Sequence, residues 1–179
     1  MSEPRVWIGC LACYNEGRLV GQWYAAEGAA SVTIQDVHST FPRPLPAEHE
    51  ELWCMDGDDF DGLMEGECSP AHAQKMAEAH RYLAEERRLD VRLVVQYAQH
   101  VGLSLLDDDL ADQFEEHWRG EHDSLTGYAE DFLEDTGLLA QVPEGLRYYI
   151  DFEKYARDME LGGDVWTIEA GGAVHVFTN

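Results

Sequence analysis

Basic residues are scarce in this sequence: 12 Lys and Arg stand against 36 Asp and Glu, for a formal net charge of -24. That shortage excludes nucleic-acid binding through an electropositive face, because a phosphate backbone would be repelled along nearly the whole surface. Long apolar runs are missing too. No stretch approaches the ~20 residues a membrane-spanning helix needs, and the start, Met1-Ser2-Glu3-Pro4, has neither a basic flank nor a signal-like apolar core. A soluble, cytoplasmic chain without membrane contact is expected. Cysteine is sparse, at 4 residues, and in such a compartment these are expected to stay reduced. Catalytic signatures are lacking as well. There is no G-x-S-x-G, P-loop or H-E-x-x-H pattern, and the 8 His are scattered. A carboxylate- or metal-dependent hydrolase needs a few convergent groups in opposed environments, so that class is the weaker reading, and no catalytic residue, metal or cofactor is expected.

Aromatic residues, by contrast, are plentiful. With 5 Trp, 8 Tyr, 6 Phe and 45% hydrophobic residues the chain can build cores, which excludes a disordered acidic tail. The acids are also unevenly laid out. A first block at 48–67 holds Glu48, Glu50, Glu51, Asp56, Asp58, Asp59, Asp61, Glu65 and Glu67 with no Lys or Arg. A second at 107–135 holds Asp107, Asp108, Asp109, Asp112, Glu115, Glu116, Glu121, Asp123, Glu130, Asp131, Glu134 and Asp135 against one base, Arg119. At ~100° per residue, Leu110, Phe114 and Trp118 fall on one side of a helix and Asp108, Asp109, Asp112, Glu115 and Glu116 opposite. Leu125, Tyr128, Ala129, Phe132 and Leu133 likewise oppose Glu130, Asp131, Glu134 and Asp135. A solvated face is the ordinary account of a charge run, but such faces intersperse Lys and Arg to relieve repulsion of about 0.2–0.5 kcal/mol per like-charged pair. Here that relief is absent, so the negative field itself is the expected product.

Along the chain, residues 5–12 read as a strand led by Val6, Trp7 and Ile8, followed by a turn at Tyr14-Asn15-Glu16-Gly17. Cys10 and Cys13 invite a zinc or redox reading with Cys54 and Cys68 as further ligands. Buried thiols are expected instead, because Cys54 and Cys68 are not closely spaced and a strand would point Cys10 and Cys13 to opposite faces. Val32, Ile34 and Val37 suggest a second strand, and Pro42, Pro44 and Pro46 an extended loop. Asp56 to Glu67 hints at a calcium loop, yet Phe60 and Asp61 stand where an oxygen ligand and a glycine belong. Ser69-Pro70 opens a helix to about residue 89, and a second apolar helix covers 91–101 with Gly102 as its stop. Residues 164–177 read as a hairpin around Gly171-Gly172.

The stretch 138–161 is the most organised. Val142-Pro143-Glu144 marks a helix start, and Asp151 is an N-cap for a helix whose apolar face is Phe152, Tyr155, Ala156 and Met159, ended by Gly162-Gly163. With Tyr149-Ile150-Asp151-Phe152-Glu153 and Ala156-Arg157-Asp158, this segment resembles the antirestriction motif of the ArdA family. The opening from Arg5 to Leu19, and Gly120-Glu121-His122-Asp123-Ser124 followed by Tyr128-Ala129-Glu130-Asp131, are similar to further stretches of that family in the same order.

The resemblance accompanies an α+β fold expected from the residue pattern, an elongated chain of small subdomains: an N-terminal β-rich unit at 1–67, a central helical unit at 68–104, and a C-terminal α+β unit with a β-hairpin at 105–179. The resemblance implies a homodimer that imitates DNA and occupies the DNA groove of the methyltransferase core of a type I restriction-modification enzyme. The charge is of the right order, since 24 net charges at the density of duplex DNA would cover about 41 Å. Both acidic blocks are the expected contact surface. Leu138, Leu139, Pro143, Leu146, Tyr149, Ile150, Asp151, Phe152, Tyr155, Ala156, Arg157 and Asp158 are expected to organise the fold and the dimer. The alternative at this point is an acidic protein that binds another basic partner, such as a nucleoid protein.

Overall fold

The computed structural model describes residues 3–41 and 49–179. They form two compact units, Met1–Ala111 and Asp112–Asn179. Pro42, Pro44, Pro46 and Glu48 lie outside the described residues. Among the described residues no helix is long and apolar enough to cross a membrane.

The first unit is built on β1 (Arg5–Cys10), whose Val6 and Ile8 are buried. The strand does not run on to residue 12. Cys10 is the extended N-cap of a one-turn helix, α1 (Leu11–Asn15), and its sulfur accepts a hydrogen bond from the Cys13 N–H at 3.4 Å. The chain then returns as β2 (Gly21–Ala25), antiparallel to β1. Glycine is required at residue 21, where an added Cβ would sit 2.5 Å from the Trp7 ring and 2.6 Å from the Ile8 carbonyl oxygen.

The strand expected from Val32, Ile34 and Val37 is instead α2 (Ile34–His38). Thr33 and Asp36 close a capping box, with the Thr33 hydroxyl accepting from the Asp36 N–H at 3.2 Å and the Asp36 carboxylate accepting from the Thr33 N–H at 2.8 Å. Two reciprocal caps outweigh a weak β preference. The third strand, β3 (Leu52–Asp58), lies in the first acidic block and pairs with the other side of β1, giving the order β2-β1-β3. Its Asp56 and Asp58 place charge on an edge strand, which discourages pairing with a foreign strand.

The helices that follow were legible. Ser69 caps α3 (Pro70–Arg81), the chain continues through a wide turn at Tyr82–Glu86, and Asp90 caps α4 (Val91–Val101), which ends at Gly102 with φ 78°.

The boundary between the units falls within α5 (Leu110–His117). Trp118 does not prolong this helix, as its wheel position had suggested. It starts β4 (Trp118–His122), whose bonding partner is a strand more than fifty residues on. Ser124 caps α6 (Leu125–Asp135), its hydroxyl accepting from Gly127 N–H at 3.0 Å. Pro143 is the N-cap of the short α7 (Glu144–Arg147). The Asp151 carboxylate accepts from Lys154 N–H at 2.9 Å and opens α8 (Phe152–Gly162), which Gly163 ends at φ 77°. A hairpin of β5 (Val165–Ala170) and β6 (Ala173–Thr178) turns at Gly171 and Gly172, both at positive φ. The sheet order is β4-β6-β5, and all pairings are antiparallel.

Helices α6 and α8 bury Tyr128, Ala129, Ala156 and Met159 against Val165 and Val176. Phe177 stacks on Trp166 at 4.5 Å and meets Phe114 edge-on at 5.5 Å between ring centroids. The fold is therefore α+β, with an N-terminal unit containing three strands and a C-terminal hairpin.

Candidate functional site

Amphipathic sequence places the acids of 107–135 outward. On α5, Leu110 and Phe114 are buried, whereas Asp112, Glu115 and Glu116 are exposed, as are Asp107, Asp108 and Asp109 before it. On α6, Tyr128, Ala129 and Leu133 are buried, and Glu130, Asp131, Glu134 and Asp135 point to solvent. Glu121 and Asp123 are exposed between the helices. Asp131 lies 3.7 Å from His122 Nδ1. The local charge is strongly negative because the sequence supplies Arg119 alone as a Lys or Arg in this segment.

The first block is less uniform. Glu50, Glu51, Asp56, Asp58, Asp59, Glu65 and Glu67 are exposed, but Asp61 is not given over to the surface. Its carboxylate accepts from His80 Nε2 at 2.9 Å and from Arg92 Nε at 2.9 Å, while the neighbouring Phe60 is buried. The hydrogen bond from His80 and the Arg92 guanidinium hold the Asp61 carboxyl below the usual carboxylate range, against the upward push of burial. A carboxylate with a depressed folded-state pKa stabilises the fold above its unfolded value, near 4, and loses that contribution as pH falls through the lower folded value. Asp61→Ala should therefore cost about 1–3 kcal/mol at neutral pH, because it strips the partner from the buried His80 ring. Denaturant melts at descending pH should show variant and unaltered chain converging in strong acid. A constant gap would mean that the cost is only lost packing.

The stretch 138–161 divides in two. Ala156 and Met159 are buried and Phe152 and Tyr155 half-buried, while Asp151 acts through its cap, so this part organises the second unit. Pro143, Arg157 and Asp158 are exposed, and Leu139 and Ile150 are half-buried. Leu138, Leu146, Tyr148, Tyr149 and Leu161 are 44%, 56%, 90%, 78% and 74% exposed. Such a concentration of exposed apolar side chains is not explained by the core of this unit.

A further group of side chains was only half visible in the sequence. Cys10 and Cys13 do not diverge as strand neighbours, because the turn into α1 brings both inward. They meet two buried histidines, His38 at the end of α2 and His49 ahead of β3. One ligand atom from each of the four lies within 4.8 Å of every other. Cys10 Sγ and Cys13 Sγ are 3.4 Å and 3.3 Å from His49 Nδ1, and Cys13 Sγ is 3.8 Å from His38 Nε2. Cys54 and Cys68, weighed as partners from sequence, instead face each other across a backbone bridge elsewhere. Burial, with Cys68 beside it, pushes the Cys54 thiol up to about 12, which makes it an inert thiol. The sequence signal for this group is the Cys-x-x-Cys at a strand end, a pattern that pairs with His as readily as with Cys.

No curated protein matches the chain. The family model described as antirestriction protein (ArdA) matches residues 6–174 of the 179. That span takes in both acidic blocks and the whole of 138–161, and the chain belongs to the ArdA antirestriction protein family.

Proposed function

We propose that this chain inhibits type I restriction-modification enzymes by imitating DNA. The acidic faces of α5 and α6 in the second unit, and the exposed acids of 50–67 in the first, compete with duplex for the basic groove of the methyltransferase core. The observation that carries this reading is the outward placement of the acids of α5 and α6 on helices whose opposite faces are buried, with a single Lys or Arg in the segment 107–135. A solvated face needs no such one-sidedness, whereas a surface that displaces a polyanion does. The working form is a homodimer, with the exposed Leu146, Tyr148 and Tyr149 meeting a second copy.

A competition assay tests this reading. A type I methyltransferase core is bound to labelled duplex and the purified protein is titrated in across a salt series. Displacement should be stoichiometric at low salt and should weaken steeply as salt screens the exposed charges. Failure to displace duplex at any salt would remove the mimicry mechanism.

A further inference from the structure

We propose that Cys10, Cys13, His38 and His49 form a structural zinc site in the first unit. The four side chains come from the end of β1, from α1, from α2 and from the segment leading into β3, and all are buried. Zinc takes sulfur at about 2.3 Å and imidazole nitrogen at about 2.0–2.1 Å in a tetrahedron, so a sulfur and a nitrogen sharing one ion stand about 3.6 Å apart. The three sulfur–nitrogen separations here are 3.3, 3.4 and 3.8 Å. An isolated thiol–imidazole hydrogen bond explains one such distance. It does not explain the convergence of two sulfurs and two rings on one point.

The surroundings fit a ligand set. His49 turns Nδ1 to both sulfurs and its other nitrogen, Nε2, to a Glu16 carboxylate oxygen at 3.4 Å. A carboxylate behind a histidine fixes the ring's tautomer and raises its basicity toward a metal. Glu16 is itself held by the Arg18 guanidinium. The Cys13 N–H donates to Cys10 Sγ and holds that sulfur on the inner side of the turn. Two thiolates and two imidazoles select zinc over the oxygen-seeking magnesium and calcium, and four protein ligands leave no open position for catalysis. The thiol protons pass to solvent on binding. The site ties His49, three residues ahead of β3, to the end of β1, and so fixes where the strand that carries Asp56 and Asp58 begins.

Metal content and spectroscopy of the purified full chain test the assignment. Native mass spectrometry after equilibration with zinc should give one ion per chain, and the melting temperature should fall on chelation and recover with added zinc. Cobalt(II) in place of zinc should give sulfur-to-metal charge-transfer absorption, which loose binding to surface carboxylates cannot produce. Cys13→Ser and His49→Ala should each abolish the stoichiometric ion and with it the sulfur band, while Cys54→Ser retains both. If a variant fails to fold, the cobalt spectrum of the unaltered chain still decides. The proposal is overturned if that spectrum lacks the sulfur band, or if folded Cys13→Ser keeps the metal.

Discussion

Changing Asp108, Asp109, Asp112, Glu115 and Glu116 together to Asn or Gln should weaken inhibition of a type I enzyme on the order of a hundredfold at low salt. The figure follows from about 0.2–1 kcal/mol for each solvent-exposed charge pair lost, taken over the five positions. All five side chains are exposed, and Asn and Gln keep their length and hydrogen-bonding capacity, so the fold should survive. Any single replacement should change inhibition only a few-fold, because a charged surface steers and holds its partner through the sum of its field. The loss should shrink as salt rises, since screening has by then removed the same interactions from the unaltered chain. Inhibition that is unchanged in the five-fold variant at moderate salt would show that this face is not the one that binds.

Tyr149→Asp is expected to convert dimer to monomer without unfolding the chain. From sequence this aromatic cluster is expected to organise the fold, but Tyr149 is 78% exposed and its ring meets Tyr148, itself 90% exposed, edge-on at 5.6 Å. A charge placed at an exposed position should alter monomer stability by no more than about 0.5 kcal/mol. Buried without a partner at the centre of a two-fold interface it should cost at least about 2 kcal/mol, and an isologous contact counts it twice. Light scattering over a dilution series, with a thermal melt at high concentration, separates the two effects. If the variant stays dimeric and equally stable yet loses inhibition, this segment touches the restriction enzyme directly. If dimer and inhibition both persist, the face serves neither purpose.

What could be read from the sequence was local. Helices α4, α6 and α8 were legible from apolar periodicity, and for α8 also from Asp151, which proves to be the expected cap; Asp90 and Ser124 cap the other two. The C-terminal hairpin was legible because Gly171-Gly172 separates two β-branched and aromatic runs. What was missed depends on distant partners. Strand β3 hides in an acidic, glycine-containing stretch and exists because β1 offers an edge, and β4 takes Trp118 from a helical pattern because β6 is there to bond it. The exception is α2, where a local signal, the Thr33–Asp36 capping box, outweighs three β-branched residues. Among the described acids, the exposure of those on α5 and α6 was legible because amphipathic placement decides it; Asp61 is the departure, drawn in by His80 and Arg92. Half of the Cys and His group was noticed and half was not, because His38 and His49 reach it from elements far along the chain.

The two sheets differ in where their middle strand stands in the chain. In β2-β1-β3 the central strand is the first made, so each later strand finds a waiting edge as it emerges. In β4-β6-β5 the central strand is the last of the three, and β4 and β5 have no ladder bonds to each other. During synthesis, which proceeds from the N-terminus, the first unit can assemble progressively. The second must hold α5, β4, α6, α8 and β5 without a sheet until Ala173–Thr178 leaves the ribosome. Over that interval the like charges of 107–135, which the sequence leaves nearly uncompensated, oppose association between incomplete copies of the unit, as any net charge does.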